Sequence, residues 1–109
     1  AQESADSPTR AMLIRNMVTT EVLLDDAEYQ DIMEDVRSEC ERHGTVTSVY
    51  IPRPDGTDAE PQGVGRVYVQ FEHTPQCEAA LRAIAGRQFD GRTVICAYVR
   101  DEAWPRAAA

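Results

Sequence analysis

Four acidic side chains at helical spacing are the first candidates for chemistry in this chain of 109 residues. Glu28, Asp31, Asp35 and Glu39 recur every three or four positions, and at about 100° per residue they fall within an arc of about 80°. One helix face would carry all four carboxylates, a surface suited to a cationic partner. The simpler account is a solvated face, the usual position of charged helix residues. The macrodipole bears on the choice. Asp25, Asp26 and Glu28 sit in the first turn, where acids are stabilised without any partner. Glu39 and Glu41 lie near the negative end, where each costs about 0.3–1 kcal/mol. Asp31, Asp35 and Glu39 also repel one another at i,i+4 spacing. Both accounts stand at this point, and the cost of the arrangement is what favours a partner.

Other chemistry is thin. Cys40 and His43 share a helix, and a lone pair at that spacing is structural more often than metal-binding. Cys40, Cys77 and Cys96 are odd in number and lack paired-ligand spacing, as expected for reduced, mostly buried thiols of an intracellular protein. His73 has no nearby nucleophile in sequence. With no glycine-rich phosphate loop and no acid–base constellation, neither an enzyme nor a cofactor is expected. The formal net charge is −8. Asp25 to Gly44 holds eight acids and two arginines, a balance of −6, so this one stretch carries most of it. Such an excess argues against binding a phosphate backbone through clustered basic residues. All eleven basic residues are arginine. No apolar run is long enough to span a membrane, and no signal peptide is read.

The elements that must position these residues follow from periodicity. Asp25 to Gly44 reads as one long amphipathic helix, with Tyr29, Ile32, Met33, Val36 and Cys40 as its apolar stripe. Asp25 is the expected N-cap with Glu28 as reciprocal partner, and Gly44 the expected stop. Met12 to Met17 is a first strand, followed by a loop into that helix, and Thr45 to Ile51 a second strand. Pro52, Pro54, Asp55-Gly56 and Pro61 mark a long loop. Gly65 to Phe71 alternates, with Val67, Val69 and Phe71 on one face and Arg66, Tyr68 and Gln70 on the other. Thr74-Pro75 opens a second helix, carried by Cys77, Ala80, Leu81 and Ile84 and ended by Gly86. Asp90-Gly91 marks a turn, and Arg92 to Val99 a fourth strand. Residues 1–10 are expected to be a disordered tail and 101–109 a C-terminal tail, around a folded domain at 11–100. Trp104 is expected to cap the sheet or lie in a mobile tail. The 42% hydrophobic content supports one core. The order is βαββαβ: an α+β, ferredoxin-like fold with a four-stranded antiparallel sheet and two helices on one face.

That topology resembles the RNA-recognition motif. Its first-strand signature falls on Met12 to Met17, where the usual stacking aromatic is Leu13. Its third-strand signature falls on Val64 to Phe71, where the two outward positions, both usually aromatic, are Arg66 and Tyr68. One of three base-stacking platforms survives. Arg15 and Arg66 share the outer face, so single-stranded RNA binding stays as the alternative function. The Arg87-Gln88-Phe89 loop, the acidic first helix and the lost aromatics together resemble the U2AF homology motif, a variant that binds protein instead of RNA. Leu23-Leu24-Asp25-Asp26, Glu34-Asp35-Val36-Arg37, Glu39-Cys40 and Ile51-Pro52-Arg53-Pro54 place the resemblance nearest the C-terminal, large-subunit branch of that family. The match covers roughly Met12 to Val99.

The resemblance implies a nuclear module of pre-mRNA splicing at the 3′ splice site. It would bind basic, tryptophan-containing ligand motifs of other splicing factors, among them the branch-point binding protein and a large subunit of the branch-site complex. The implied peptide-binding residues are Glu28, Asp31, Ile32, Asp35, Glu39, Arg87, Gln88 and Phe89. The partner's tryptophan would pack on Phe89 near Ile32, with Arg87 over the indole and paired to Asp35. The basic run would lie along the four acids, with RNA contact weak or absent.

Overall fold

The computed structural model describes residues 4–5, 7–53, 65–89 and 91–105. Its elements are β1 (Ser4–Ala5), β2 (Ala11–Arg15), α1 (Thr20–Leu24), α2 (Asp26–Glu41), β3 (Val46–Tyr50), β4 (Arg66–Phe71), α3 (Thr74–Ile84), β5 (Gln88–Phe89), β6 (Arg92–Thr93) and β7 (Ile95–Val99), then a 3-10 turn at Asp101–Ala103. The main sheet has the order β1-β7-β2-β4-β3, with antiparallel pairing throughout. Within it lies the expected four-stranded βαββαβ sheet. The core between sheet and helices holds Met12 and Ile14 from β2 and Val67, Val69 and Phe71 from β4. Facing them are Val36 and Cys40 from α2 and Cys77, Ala80 and Ile84 from α3. Alternation along β4 sends those three residues inward, as the sequence pattern requires.

The acidic helix forms because Asp25 caps it: its Oδ1 accepts from the Glu28 N–H at 3.0 Å. The expected reciprocal bond is displaced. The Asp25 N–H donates instead to the Val22 carbonyl at 3.3 Å, because the expected loop before the helix contains α1, capped by Thr19. Val36 and Cys40 are buried along α2, and the Tyr29 hydroxyl donates to the Ile51 carbonyl at 3.2 Å. Arg53 fastens the same end: it lies 4.3 Å over the Tyr29 ring, donates to the Leu23 carbonyl at 2.8 Å and pairs with Asp26 at 2.7 Å.

Several boundaries differ from the sequence reading. Gly44 is not a left-handed stop. It is a close approach, since a Cβ there would run into the Gln76 side chain. That side chain is engaged, accepting from the His73 N–H at 3.0 Å at the start of α3. Gly86 does end α3 in the expected way, with φ +84. The expected fourth strand is broken at Val94, whose N–H turns aside to the Arg87 carbonyl at 2.8 Å. Its first part, β6, pairs with β5 as a separate hairpin.

The N-terminal tail also departs from expectation. Ser4 and Ala5 pair with Val99 and Tyr98, adding an edge strand to β7, and the Thr9 hydroxyl lies 2.7 Å from the Val99 carbonyl. An exposed β7 edge offers unpaired backbone groups, and the N-terminal residues satisfy part of it. At the other end Trp104 packs on the outer sheet face, one of the two positions expected for it. The long loop from Pro54 to Pro61 lies outside the described residues.

Candidate functional site

A cleft of about 400 Å³ opens between α2 and the β5–β6 hairpin. Ile14, Ile84 and Val94 supply apolar surface from sheet and α3, Met17 from the turn after β2, and Ile32 and Val36 from α2. Asp35 and Glu39 line it on the helix side, and Arg87, Gln88 and Phe89 on the loop side. Six of the eight residues named from the sequence therefore meet around one cavity. Glu28 and Asp31 do not line it; they are exposed on α2 in the turns N-terminal to Asp35.

The hairpin is held in place by backbone bonds. Gly86 N–H donates to the Val94 carbonyl at 2.9 Å, and Arg87 N–H to the Ile84 carbonyl at 3.1 Å. Arg92 reaches back to the turn after β2, donating to the carbonyls of Asn16 at 3.2 Å and Met17 at 3.0 Å. The Asn16 amide returns a bond to the Thr93 carbonyl at 2.9 Å, from a backbone at φ 69 that asparagine tolerates. Gln88 donates to the Thr93 hydroxyl at 2.6 Å, so its amide is engaged within the hairpin. Phe89 consequently stands on a fixed frame at the cleft mouth, and 37% of it is exposed. An aromatic left that open beside an apolar cavity is available to a partner.

Charge is distributed unevenly around the mouth. Glu39 Oε2 lies 3.4 Å from Arg87 Nη1, 3.6 Å from Arg42 Nη1 and 4.0 Å from His43 Nε2. The expected pairing of Arg87 with Asp35 is thus replaced by Glu39, one turn further along the helix. The backbone bonds from Arg87 to Ile84 and Val94 set the height of the loop against α2 and decide which acid it meets. Among the described residues, Glu28, Asp31 and Asp35 form no ion pair within 4 Å, whereas Glu39 is shared by the guanidinium groups of Arg87 and Arg42. Cys40 also lines the cleft; burial above all, then the neighbouring Glu39, pushes its thiol up to about 12. It is un-ionised and a poor nucleophile. No three metal-ligating side chains converge among the described residues.

The Ile14, Met17, Ile84 and Val94 surface is not legible in the sequence, because a periodic apolar pattern marks residues as core without showing where the core is open. Asn16 and Arg92, which hold the hairpin, carry no local signal either.

On the opposite side of the sheet, Leu13 and Tyr68 are 1% and 4% exposed. Tyr50 stacks near Tyr68 at 6.1 Å, and Trp104 meets it edge-on at 6.0 Å. The surviving aromatic of the sheet is therefore covered.

Comparison with known proteins agrees with the resemblance read from the residues. No protein-family model matches the chain. It is 34% identical over 90 residues, 83% of its length, to a U2af large-subunit splicing factor of Nicotiana plumbaginifolia. It is 30% identical over 105 residues, 95% of its length, to the splicing factor U2AF 59 kDa subunit of Schizosaccharomyces pombe. The chain spans 16% and 20% of those two proteins. Among solved structures, the RNA15 RRM covers 88% of this chain, and the match covers 95% of that one, with a TM-score of 0.57 at 17% identity. That likeness establishes the fold.

Proposed function

We propose, for a chain that belongs among the U2AF large-subunit relatives and has the RNA-recognition-motif fold, that it is the peptide-recognition module of a splicing factor. The observation that carries this reading is the cleft. It has an apolar lining, an open aromatic at its mouth and a row of acids leading away from it that, among the described residues, form no ion pair. A tryptophan is the side chain whose size and shape suit such a cavity, and a basic segment beside it suits the acids.

In this reading the indole enters between Ile32 and Phe89, and the Arg87 guanidinium, tethered to Glu39, lies over its face. Such a contact is worth about 0.5–2 kcal/mol according to desolvation. The ligand's cations run along Asp35, Asp31 and Glu28. Glu39 holds Arg87 in place and is withdrawn from the row of acids that meet the ligand. Exposed ion pairs contribute about 0.2–1 kcal/mol each and are screened by salt. The tryptophan is therefore the hot spot, and the acids set preference and association rate. The natural ligands would be basic, tryptophan-containing segments of other splicing factors in the nucleus. The branch-point binding protein and a component of the branch-site complex are the first candidates. No catalytic step is part of the reading.

The test is charge reversal at Asp35 beside removal of the aromatic. Phe89→Ala should weaken binding of a basic tryptophan peptide severely, and Asp35→Arg should weaken it less and most at low salt, while circular dichroism stays native in both. Unchanged affinity in both would sink the proposal. RNA binding through the outer sheet face is the weaker alternative, since Tyr68 and Leu13 are covered.

A further inference from the structure

Among the described residues that line the cleft, Ser38 alone carries a hydroxyl. It stands exposed on the α2 wall, with Asp35 three residues before it, Glu39 beside it and Arg42 four residues on, and all four side chains line the cleft. At that spacing Ser38 and Arg42 are neighbours on the helix surface, about 5–6 Å apart at Cβ. Arg42 and Arg87 share one oxygen: the Nη1 atoms lie 3.6 Å and 3.4 Å from Glu39 Oε2. The Arg42 side chain is 71% exposed, so little packing holds it there. Arg37, next to Ser38, is paired with Glu41 at 3.9 Å. The segment around the hydroxyl is acidic. Glu34 and Asp35 precede it, and Glu39 and Glu41 stand one and three positions after it. A protein kinase with a basic substrate groove complements such a segment. Ser38 is also in the last turn of α2, which ends at Glu41. Acids there oppose the macrodipole, and helix ends open at low cost, which is what presenting an extended segment to a kinase requires.

We infer that Ser38 is a phosphorylation site for an acid-directed protein kinase, and that its modification tightens the cleft's hold on a basic, tryptophan-containing ligand. The inference rests on the peptide reading and adds the regulation of that site. In the transfer, Ser38 Oγ bonds to the γ-phosphorus of a nucleoside triphosphate held by the kinase. The bond from that phosphorus to the β–γ bridging oxygen breaks, the nucleoside diphosphate leaves with the electron pair, and the hydroxyl proton passes to a kinase carboxylate. The phosphate brings a charge of about −1.5 to −2 at pH 7. An acid followed by a base four residues on is the favourable orientation along a helix, so the phosphate draws Arg42 away from Glu39. Two consequences act in the same direction. Glu39 is left to Arg87, which tightens the tether of that guanidinium beside the cleft. The phosphate itself stands one turn from Asp35 and extends the row that attracts the ligand's cations. Repulsion from Asp35 and the macrodipole oppose the modified state, and the new pair with Arg42 offsets them, so α2 keeps its last turn.

The probe is casein kinase II, an acid-directed enzyme, supplied with ATP and the folded full chain. Fragment-ion mass spectrometry should place a phosphate on Ser38, and Ser38→Ala should lose that site. Calorimetric titration with a basic tryptophan peptide should then show the phosphorylated chain binding about three- to tenfold tighter at low salt, with the gain shrinking as salt rises. Far-UV circular dichroism should be unchanged by the modification. Absence of phosphate at Ser38 in the folded chain overturns the inference. So does a phosphorylated chain whose affinity is unchanged or weaker, or whose helix content falls. Failure of the peptide reading looks different: the unmodified chain would bind the tryptophan peptide and its alanine counterpart equally, before any kinase is added.

Discussion

Replacing Phe89 with alanine should separate binding from folding more sharply than any other single change. Phe89 is on the two-residue strand β5, paired with Arg92, at the mouth of the cleft. With 37% of it exposed, truncation leaves an open notch and no sealed cavity. The stability cost should be no more than about 1 kcal/mol, against about 3–5 kcal/mol for truncating a fully buried phenylalanine such as Phe71. Binding responds differently. A bound indole would cover the exposed part of the ring and gain about 0.5–1.5 kcal/mol of aromatic contact beyond area burial. Together with the lost apolar area the loss should reach about 2–3 kcal/mol, a weakening of roughly 30- to 150-fold. Calorimetric titration with a basic tryptophan peptide reads the affinity, and thermal denaturation reads the fold. A melting temperature lowered by less than about 8 °C with binding lost supports the placement. A folded variant whose affinity changes by less than about threefold refutes it.

Other outcomes follow from the same geometry. Glu39→Gln removes the carboxylate that Arg87 and Arg42 share, with Arg87 itself 56% exposed at its side chain. Stability should change by only about 0.5 kcal/mol, while peptide affinity falls about three- to tenfold as Arg87 loses its tether. The salt dependence of binding should stay at the parent's value in Glu39→Gln and decrease in Asp35→Asn; a decrease in both would put Glu39 among the residues that meet the ligand. The buried thiols make stability depend on alkaline pH. Burial pushes Cys40 and Cys77 up to about 12 and Cys96 up to about 11, from 9.0. In the unfolded chain these thiols ionise near the lower value while the folded chain keeps its protons. The stability they lend is complete below pH 9.0 and is lost as pH rises through 11 to 12. Thermal melts across that range should fall steadily, and Cys40→Ala should flatten the decline; a slope identical to the parent's would contradict it.

The helix that organises the domain was legible because its signals are local. Asp25 as cap, Val36 and Cys40 on the buried stripe and the acids on another face are consequences of a 3.6-residue period. The alternation of Val67, Val69 and Phe71 was equally local. What escaped depends on how elements meet. That Arg87 pairs with Glu39 and not Asp35 depends on the height of a loop along α2, which the Arg87–Val94 and Arg87–Ile84 backbone bonds determine. The residue type of Gly44 suggests a helix stop, whereas the Gln76 side chain packed against it is what requires a glycine there. The break at Val94 also has no local signal, because valine suits a strand; tertiary bonds to Gly86 and Arg87 turn it aside. Trp104 was ambiguous for the same reason. A lone tryptophan near a chain end does not reveal whether a covered Tyr68 awaits it.

The most direct test of the account compares two short basic peptides, identical except for one tryptophan in one and alanine in the other, titrated into the full chain at two salt concentrations. Binding that requires the tryptophan and weakens as salt rises is what an apolar cleft beside an exposed acidic row predicts. Equal binding of the two peptides, or tryptophan-dependent binding with no response to salt, would contradict it.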